Sequence, residues 1–319
     1  MLERAPSSPP LEIGGLVVDP VQRRTTYATL HIAAGRISAI TPITDKAPAD
    51  TPYILPGLVD AHVHIESSML VPSEFARMAV VHGTVGTVSD PHEIANVLGV
   101  AGVDYMIRNG KQSPFKFHFG APSCVPATAF ETAGAAIDAA EIAALMARDD
   151  IYYLSEVMNF PGVIYRDPEL LAKLDAARNA NKPIDGHAPA LRGDNCKTYF
   201  AAGITTDHEC CELDEALEKL SHGASIIIRE GSAARNFDAL YTLIDRYPDR
   251  VMLGTDDKHP DELERGHINL LLRAAVARGI DPYNAIRAAT INTIQHYRLN
   301  VGQLRVGDPA DCLLVNNLR

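Results

Sequence analysis

The stretch Leu55-Pro56-Gly57-Leu58-Val59-Asp60-Ala61-His62-Val63-His64-Ile65-Glu66-Ser67-Ser68-Met69 decides how the rest of the chain is read. A short apolar run, opened by Pro-Gly, ends in two histidines one residue apart. Side chains two apart on a strand share a face, so His62 and His64 would project together from the strand's C-terminal end. Two imidazoles on one face make half of a divalent-metal site. A pair of satisfied core histidines would look the same in isolation. The remaining ligands must therefore be sought elsewhere in the chain.

After this strand the pattern becomes strand, loop, helix, repeated. Short β-rich runs fall at Thr84 to Ser89, Lys116 to Phe119, Ile151 to Leu154, Pro183 to Asp185, Ile204 to Thr206, Ala224 to Ile228 and Val251 to Gly254. Helices lie between them. Asp138 and Glu141 form a capping box for a helix over Ala139 to Ala147, and Asp167-Pro168 opens another with a stripe of Leu170, Leu171, Leu174 and Ala177. Further helices are expected over Leu213 to Leu220 and Phe237 to Asp245. Counted from Leu58, eight strands alternate with helices, which predicts an α/β fold of the (β/α)8 TIM-like barrel type. An open doubly wound sheet is the alternative, although no glycine-rich phosphate loop follows the first strand.

The ends of the chain read differently. Leu11 to Val18, Tyr27 to Ile32 and Ile37 to Ile40 are short β segments separated by turn residues, and Asp311 to Val315 is a similar strand at the far end. The expected organisation is residues 1–55 as the N-terminal β segment of a small composite sheet domain, 56–300 as the (β/α)8 barrel, and 301–319 as a strand returning to the small sheet.

Charge and cysteines narrow the function classes. The chain carries 29 basic and 40 acidic residues, a net of -11, which argues against a nucleic-acid surface and for a small-molecule substrate. No apolar run reaches the roughly 18 residues of a membrane span, and no signal-peptide pattern opens the chain, so no membrane partner is expected. Cys124, Cys196, Cys210, Cys211 and Cys312 show no Cys-x-x-Cys spacing and read as reduced thiols of a cytoplasmic protein, with Cys210 and Cys211 as buried packing residues.

In barrels the active site lies at the C-terminal ends of the strands. Those positions hold His62 and His64, then Asp90-Pro91-His92-Glu93, Ser123-Cys124, Glu156, His187, His208, Arg229-Glu230 and Asp256-Asp257. Four histidines and two carboxylates at successive strand ends are what a two-metal hydrolytic site needs. His31, His82, His222 and His296 fall where solvated or helix-capping roles are commoner. His118, His259 and His267 stay undecided.

At this point the residues resemble a family. His62-x-His64 with Glu156, His187, His208 and Asp256 is similar to the amidohydrolase superfamily of metal-dependent barrel hydrolases, with glutamate where many members carry a carboxylated lysine. Longer strings resemble the bacterial adenine deaminase family: DAHVHIESSM from Asp60, SDPHEIAN from Ser89, EVMNFPG from Glu156, DGHAP from Asp185, TDHE from Thr206, REGSAARN from Arg229 and TDDKHP from Thr255. The resemblance runs from about Leu11 to the end. Adenine deaminases of this type usually continue into a further C-terminal domain, so the chain is expected to be a truncated form or a short relative.

The resemblance implies hydrolytic deamination of adenine to hypoxanthine and ammonia. It implies two divalent metal ions, Mn2+ or Fe2+ before Zn2+, held by His62, His64, Glu156, His187, His208 and Asp256. Asp256 and His92 would be catalytic, and Glu66, Glu93, Arg229 and Asp257 would bind substrate. A homo-oligomer is expected. The alternatives are another amidohydrolase reaction on a cyclic amide or different base, or a non-catalytic binding relative.

Overall fold

The computed structural model describes residues 10–128 and 130–318. Its first four strands are β1 (Leu11–Asp19), β2 (Arg24–Ala33), β3 (Arg36–Pro42) and β4 (Tyr53–Pro56). The turn between β1 and β2 is closed by Asp19, whose Oδ1 accepts the backbone N–H groups of Val21 and Gln22. β1 pairs antiparallel with β2 and parallel with β4, while β2 pairs antiparallel with β3 across a bulge at His31/Ile32.

The next strands are β5 (Leu58–His64), β6 (Thr84–Ser89), β7 (Lys116–Phe119), β8 (Leu154–Val157), β9 (Ile184–Gly186), β10 (Thr206–Asp207), β11 (Ser225–Arg229), β12 (Val251–Gly254) and β13 (Asp256–Asp257). The last is β14 (Cys312–Val315), which pairs antiparallel with β4 and completes a five-stranded sheet in the order β14-β4-β1-β2-β3. Val17, Ala28, Leu30, Ile37, Ile54 and Leu304 bury one face of it. The β4 strand was not anticipated, because Tyr53 to Pro56 merges in sequence with the apolar run that becomes β5.

From β5 to β13 every ladder is parallel, and helices separate successive strands except β12 and β13, which only Thr255 divides. The ladders fall into three blocks, β13-β5-β6-β7, β8-β9 and β10-β11-β12. Backbone bonds cross the gaps: three around the ends of β7 and β8, from Tyr152 N to Phe119 O, Ala121 N to Tyr153 O and Ser155 N to Ala121 O, then one from Thr205 N to Ile184 O and one from Thr255 N to His62 O. The described ladders are therefore parallel sheet elements of the expected order, not one uninterrupted eight-stranded ladder.

Two local expectations shift. The fourth parallel strand runs over Leu154–Val157, not Ile151 to Leu154. Ile151, Tyr153 and Leu154 are all buried, so the apolar signal is real, but ladder pairing starts only where Leu154 N meets Pro183 O. The helix read over Phe237 to Asp245 is two short turns, Phe237–Leu240 and Leu243–Arg246, broken at Tyr241 and Thr242. Both pieces bury their apolar residues, so periodicity alone does not reveal the break.

Where caps were legible the helices begin as read. Asp138 accepts the Glu141 N–H at 2.8 Å and Glu141 accepts the Asp138 N–H at 3.0 Å, which makes a complete capping box for Ala139–Met146. Asp167 caps Pro168–Asn179, which buries Leu170, Leu174 and Ala177. Removing the first cap in Asp138→Ala should cost about 1 kcal/mol. Urea unfolding should show a lower midpoint with an unchanged slope.

Candidate metal centre

All seven residues of β5 are buried. Its ladder with β6 slips between Asp60 and Val63, where Asp60 Oδ1 takes the His62 N–H at 3.1 Å. The same carboxylate accepts the N–H and hydroxyl of Thr255, so one buried aspartate fixes the strand carrying His62 and the residue before Asp256. Asp256 itself has φ 57°, a left-handed conformation that aspartate tolerates better than most residues.

These strand ends converge. Glu156 Oε2 lies 2.7 Å from His187 Nδ1 and 3.1 Å from His208 Nε2. Its Oε1 lies 3.5 Å from His64 Nε2 and 3.3 Å from His92 Nδ1. Asp256 Oδ1 is 3.2 Å from His64 Nε2 and 3.9 Å from His62 Nε2. The rings of His62 and His208 stack with centroids 4.0 Å apart. One donor atom from each of His62, Glu156 and His208 fits within 4.8 Å, as does one from each of His62, His64 and Asp256.

The same proximity makes two further groups, one of His64, Asp90, His92 and Glu156 and one of His187, His208 and Glu209. All six residues expected to hold metal therefore meet in one place. His92 sits beside them, with Nδ1 3.0 Å from Asp90 Oδ2.

The electrostatics follow from burying so many ionisable groups. Burial opposes charge on Glu156, but His187 and His208 hold its carboxyl well below the usual range. Burial, then the neighbouring His208 and His64, push the His62 imidazole down. For His92 the carboxylate of Asp90 outweighs burial and raises the imidazole to about 10. Glu66 is pushed up to about 8, first by burial and then by Glu93.

Both ring nitrogens of His62, and Nδ1 of His208, are buried without a hydrogen-bond partner among the described residues. A buried imidazole rarely forgoes both partners, and the neutral ring is the form that gives a lone pair to a cation. This donor set, imidazole and carboxylate without thiolate, fits a divalent metal cofactor.

The remaining expected site residues lie around this centre. Glu93 Oε1 is 3.2 Å from His64 Nδ1, and Glu66 accepts the N–H of Ile94. Arg229 pairs with both Asp256 and Glu209. Asp257 accepts the Ser67 hydroxyl and belongs to none of the donor groups.

Sequence reasoning gave no role to Glu209, Asp90 or Asp60, although each sits next to, or two residues before, a strand-end histidine. That adjacency is the signal that could have found them. Cys210 is buried as expected, but Cys211 is exposed. His296 is half-buried in the last turn of its helix: its Nε2 is 3.1 Å from the Thr205 hydroxyl, and burial lowers its imidazole to about 4.

A family model described as the amidohydrolase family matches residues 53–318, most of the chain and every residue of the centre. The chain belongs to the amidohydrolase family. Among curated relatives, the adenine deaminase of Methanosarcina mazei is 56% identical over 306 residues, covering 96% of this chain and 55% of its own length. That of Salinibacter ruber is likewise 56% identical, covering 96% of this chain and 56% of its own length. The chain thus spans a little over half the length of these relatives.

Solved structures share the fold at low identity. N-acetyl-D-glucosamine-6-phosphate deacetylase from Mycobacterium smegmatis superposes with a TM-score of 0.70 at 18% identity, covering 97% of this chain and 96% of that one. D-hydantoinase from Thermus sp. gives 0.67 at 15% identity, covering 93% and 84%.

None of the three undecided histidines belongs to the donor groups of the centre. His267 is buried against Thr84 and Asp60, and His259 is exposed. His118 is buried within β7, its Nδ1 3.0 Å from Thr87 O, and burial lowers its imidazole to about 4. A histidine whose folded value is depressed contributes stability that is lost as pH falls from about 6.5 toward that folded value. The unfolding free energy of wild type relative to His118→Leu should therefore drop across that window. A difference independent of pH would remove His118 as the cause.

Proposed function

We propose that this amidohydrolase chain deaminates adenine hydrolytically, giving hypoxanthine and ammonia. The observation that carries the reading is the meeting of His62, His64, Glu156, His187, His208 and Asp256 at one buried point, in a chain about half identical to curated adenine deaminases. His62 and His64 would hold one divalent cation and His187 and His208 another, with Glu156 between them and Asp256 completing the set. Bound there, the cations would lower the pKa of water and stabilise developing negative charge. Manganese or ferrous iron suits these imidazole and carboxylate donors, with zinc as the alternative.

The protein's own groups would move the protons. As water adds to C6 of the purine, Asp256 accepts its proton on a carboxylate oxygen and returns it to the exocyclic nitrogen. The C6–N bond then breaks and ammonia leaves. His64, His62 and His208 outweigh burial to keep the Asp256 carboxyl ionised, and Arg229, paired with it, orients it. His92, kept protonated by Asp90, offers a positive donor to charge building on the ring. Glu66, its carboxyl raised by burial and Glu93, can donate a hydrogen bond to a ring nitrogen, and Glu93 and Asp257 would complete the substrate contacts.

The wider reading follows the same lines. The three parallel blocks would form a single (β/α)8 barrel, consistent with the hydrogen bonds that cross the gaps between them. Residues 1–55 and 301–319 would form a small composite sheet domain beside it. The five free cysteines fit a reducing, cytoplasmic compartment. A homo-oligomer is expected of the assembled enzyme.

The deciding test is to load the chain with manganese, add adenine, and follow the ultraviolet change to hypoxanthine together with released ammonia. Turnover that a chelator abolishes is expected, and a folded, metal-loaded chain without turnover overturns the reading. Glu156→Gln should lower the number of ions bound per chain, as measured by elemental analysis after dialysis. Asp256→Asn should reduce kcat by a factor of about 100 to 10,000.

A further inference from the structure

His62 and His64 owe their spacing to a single strand. His187 and His208 do not. They follow β9 and β10, strands of three and two residues, and no ladder joins β9 to β10 among the described residues. Backbone pairing between the two is reduced to the bond from Thr205 N to Ile184 O. Something else must fix how far apart the two imidazoles stand.

A buried ionic cluster lies at that junction. Lys219, on the helix Leu213–Ser221, is fully buried, and its Nζ donates to Asp207 Oδ1 at 3.0 Å, Glu215 Oε1 at 2.7 Å and Ala188 O at 2.6 Å. Ala188 directly follows His187, and Asp207 directly precedes His208. Asp207 also accepts the N–H of Ala188 at 3.0 Å and of Glu209 at 2.9 Å. Glu215 accepts the N–H of Ala190 at 3.0 Å and of Cys211 at 3.4 Å.

The backbone beyond each histidine is thereby tied to the same three side chains, and all three ionised groups have their donors or acceptors matched. Burying three charges is a poor route to stability, since well-packed apolar residues serve as well or better. What such a cluster supplies is a fixed geometry between segments that the sheet leaves unjoined.

We propose that Lys219, Asp207 and Glu215 are positioning residues that set the separation of His187 and His208 for a shared cation, an inference that rests on the metal reading above. Their role resembles that of groups behind the ligands of other metal sites, whose loss typically weakens metal binding 10- to 100-fold. The first pair, His62 and His64, needs no such tie, so its ion should be indifferent to the cluster.

The test compares manganese binding to the whole chain in wild type, Lys219→Met and Glu215→Gln, with circular dichroism melts to establish folding. In the variants one ion should bind with unchanged affinity while the other weakens about 10- to 100-fold. The electron paramagnetic resonance spectrum of desalted protein should change from a coupled manganese pair to an isolated ion. Glu215→Gln keeps the Asp207–Lys219 pair, so it carries the test if Lys219→Met does not fold. Two ions of unchanged affinity in folded variants overturn the clamp alone, as does equal weakening of both. Fewer than two ions in wild type overturns the metal reading and the clamp with it.

Discussion

Glu156 is the group on which the site depends. It is a buried carboxylate facing imidazoles from four other segments: His64, His92, His187 and His208. An isolated carboxylate at that depth would be expelled or neutralised. It persists because each oxygen meets imidazole nitrogens carried by segments at the ends of different parallel strands. The parallel arrangement makes this possible by bringing strand ends remote in sequence to one point. A change at Glu156 would therefore leave several imidazoles without their common partner.

Below that ring lies a second tier of buried aspartates, each close in sequence to a histidine that follows or ends a strand. Asp60 holds His62 N and Thr255. Asp90 takes the Ser155 hydroxyl, next to Glu156, and faces His92. Asp185 takes the hydroxyls of Thr206 and Tyr297. Asp207 is held by Lys219. Their acceptors replace ladder bonds where strands are short or the register slips. The polar tier is thus continuous with the sheet's own hydrogen bonding, and these bonds fix the backbone beneath the histidines.

Much was legible in the chain before its folding was known. His62-x-His64 needs only the two-residue repeat of a strand, and Asp138 and Asp167 needed only local capping chemistry. The polar residues at successive strand ends stood out because apolar runs led into each of them. Lys219 was not legible in the same way. A charged residue midway along an amphipathic helix has the same local signature whether it is solvated or buried.

By itself, then, the sequence determined the strand–helix alternation, the caps, and the residue types available to bind a cation, because each depends on neighbours within a few positions. Only the tertiary structure decided that β4 pairs with both β1 and β14, that the parallel ladders break into three blocks, and that His118 is buried away from the centre while His92 sits within it. It also decided that Lys219 points inward, where its Nζ meets Ala188 O and Asp207. Those outcomes depend on contacts between residues tens to hundreds of positions apart, and no local period or cap encodes them.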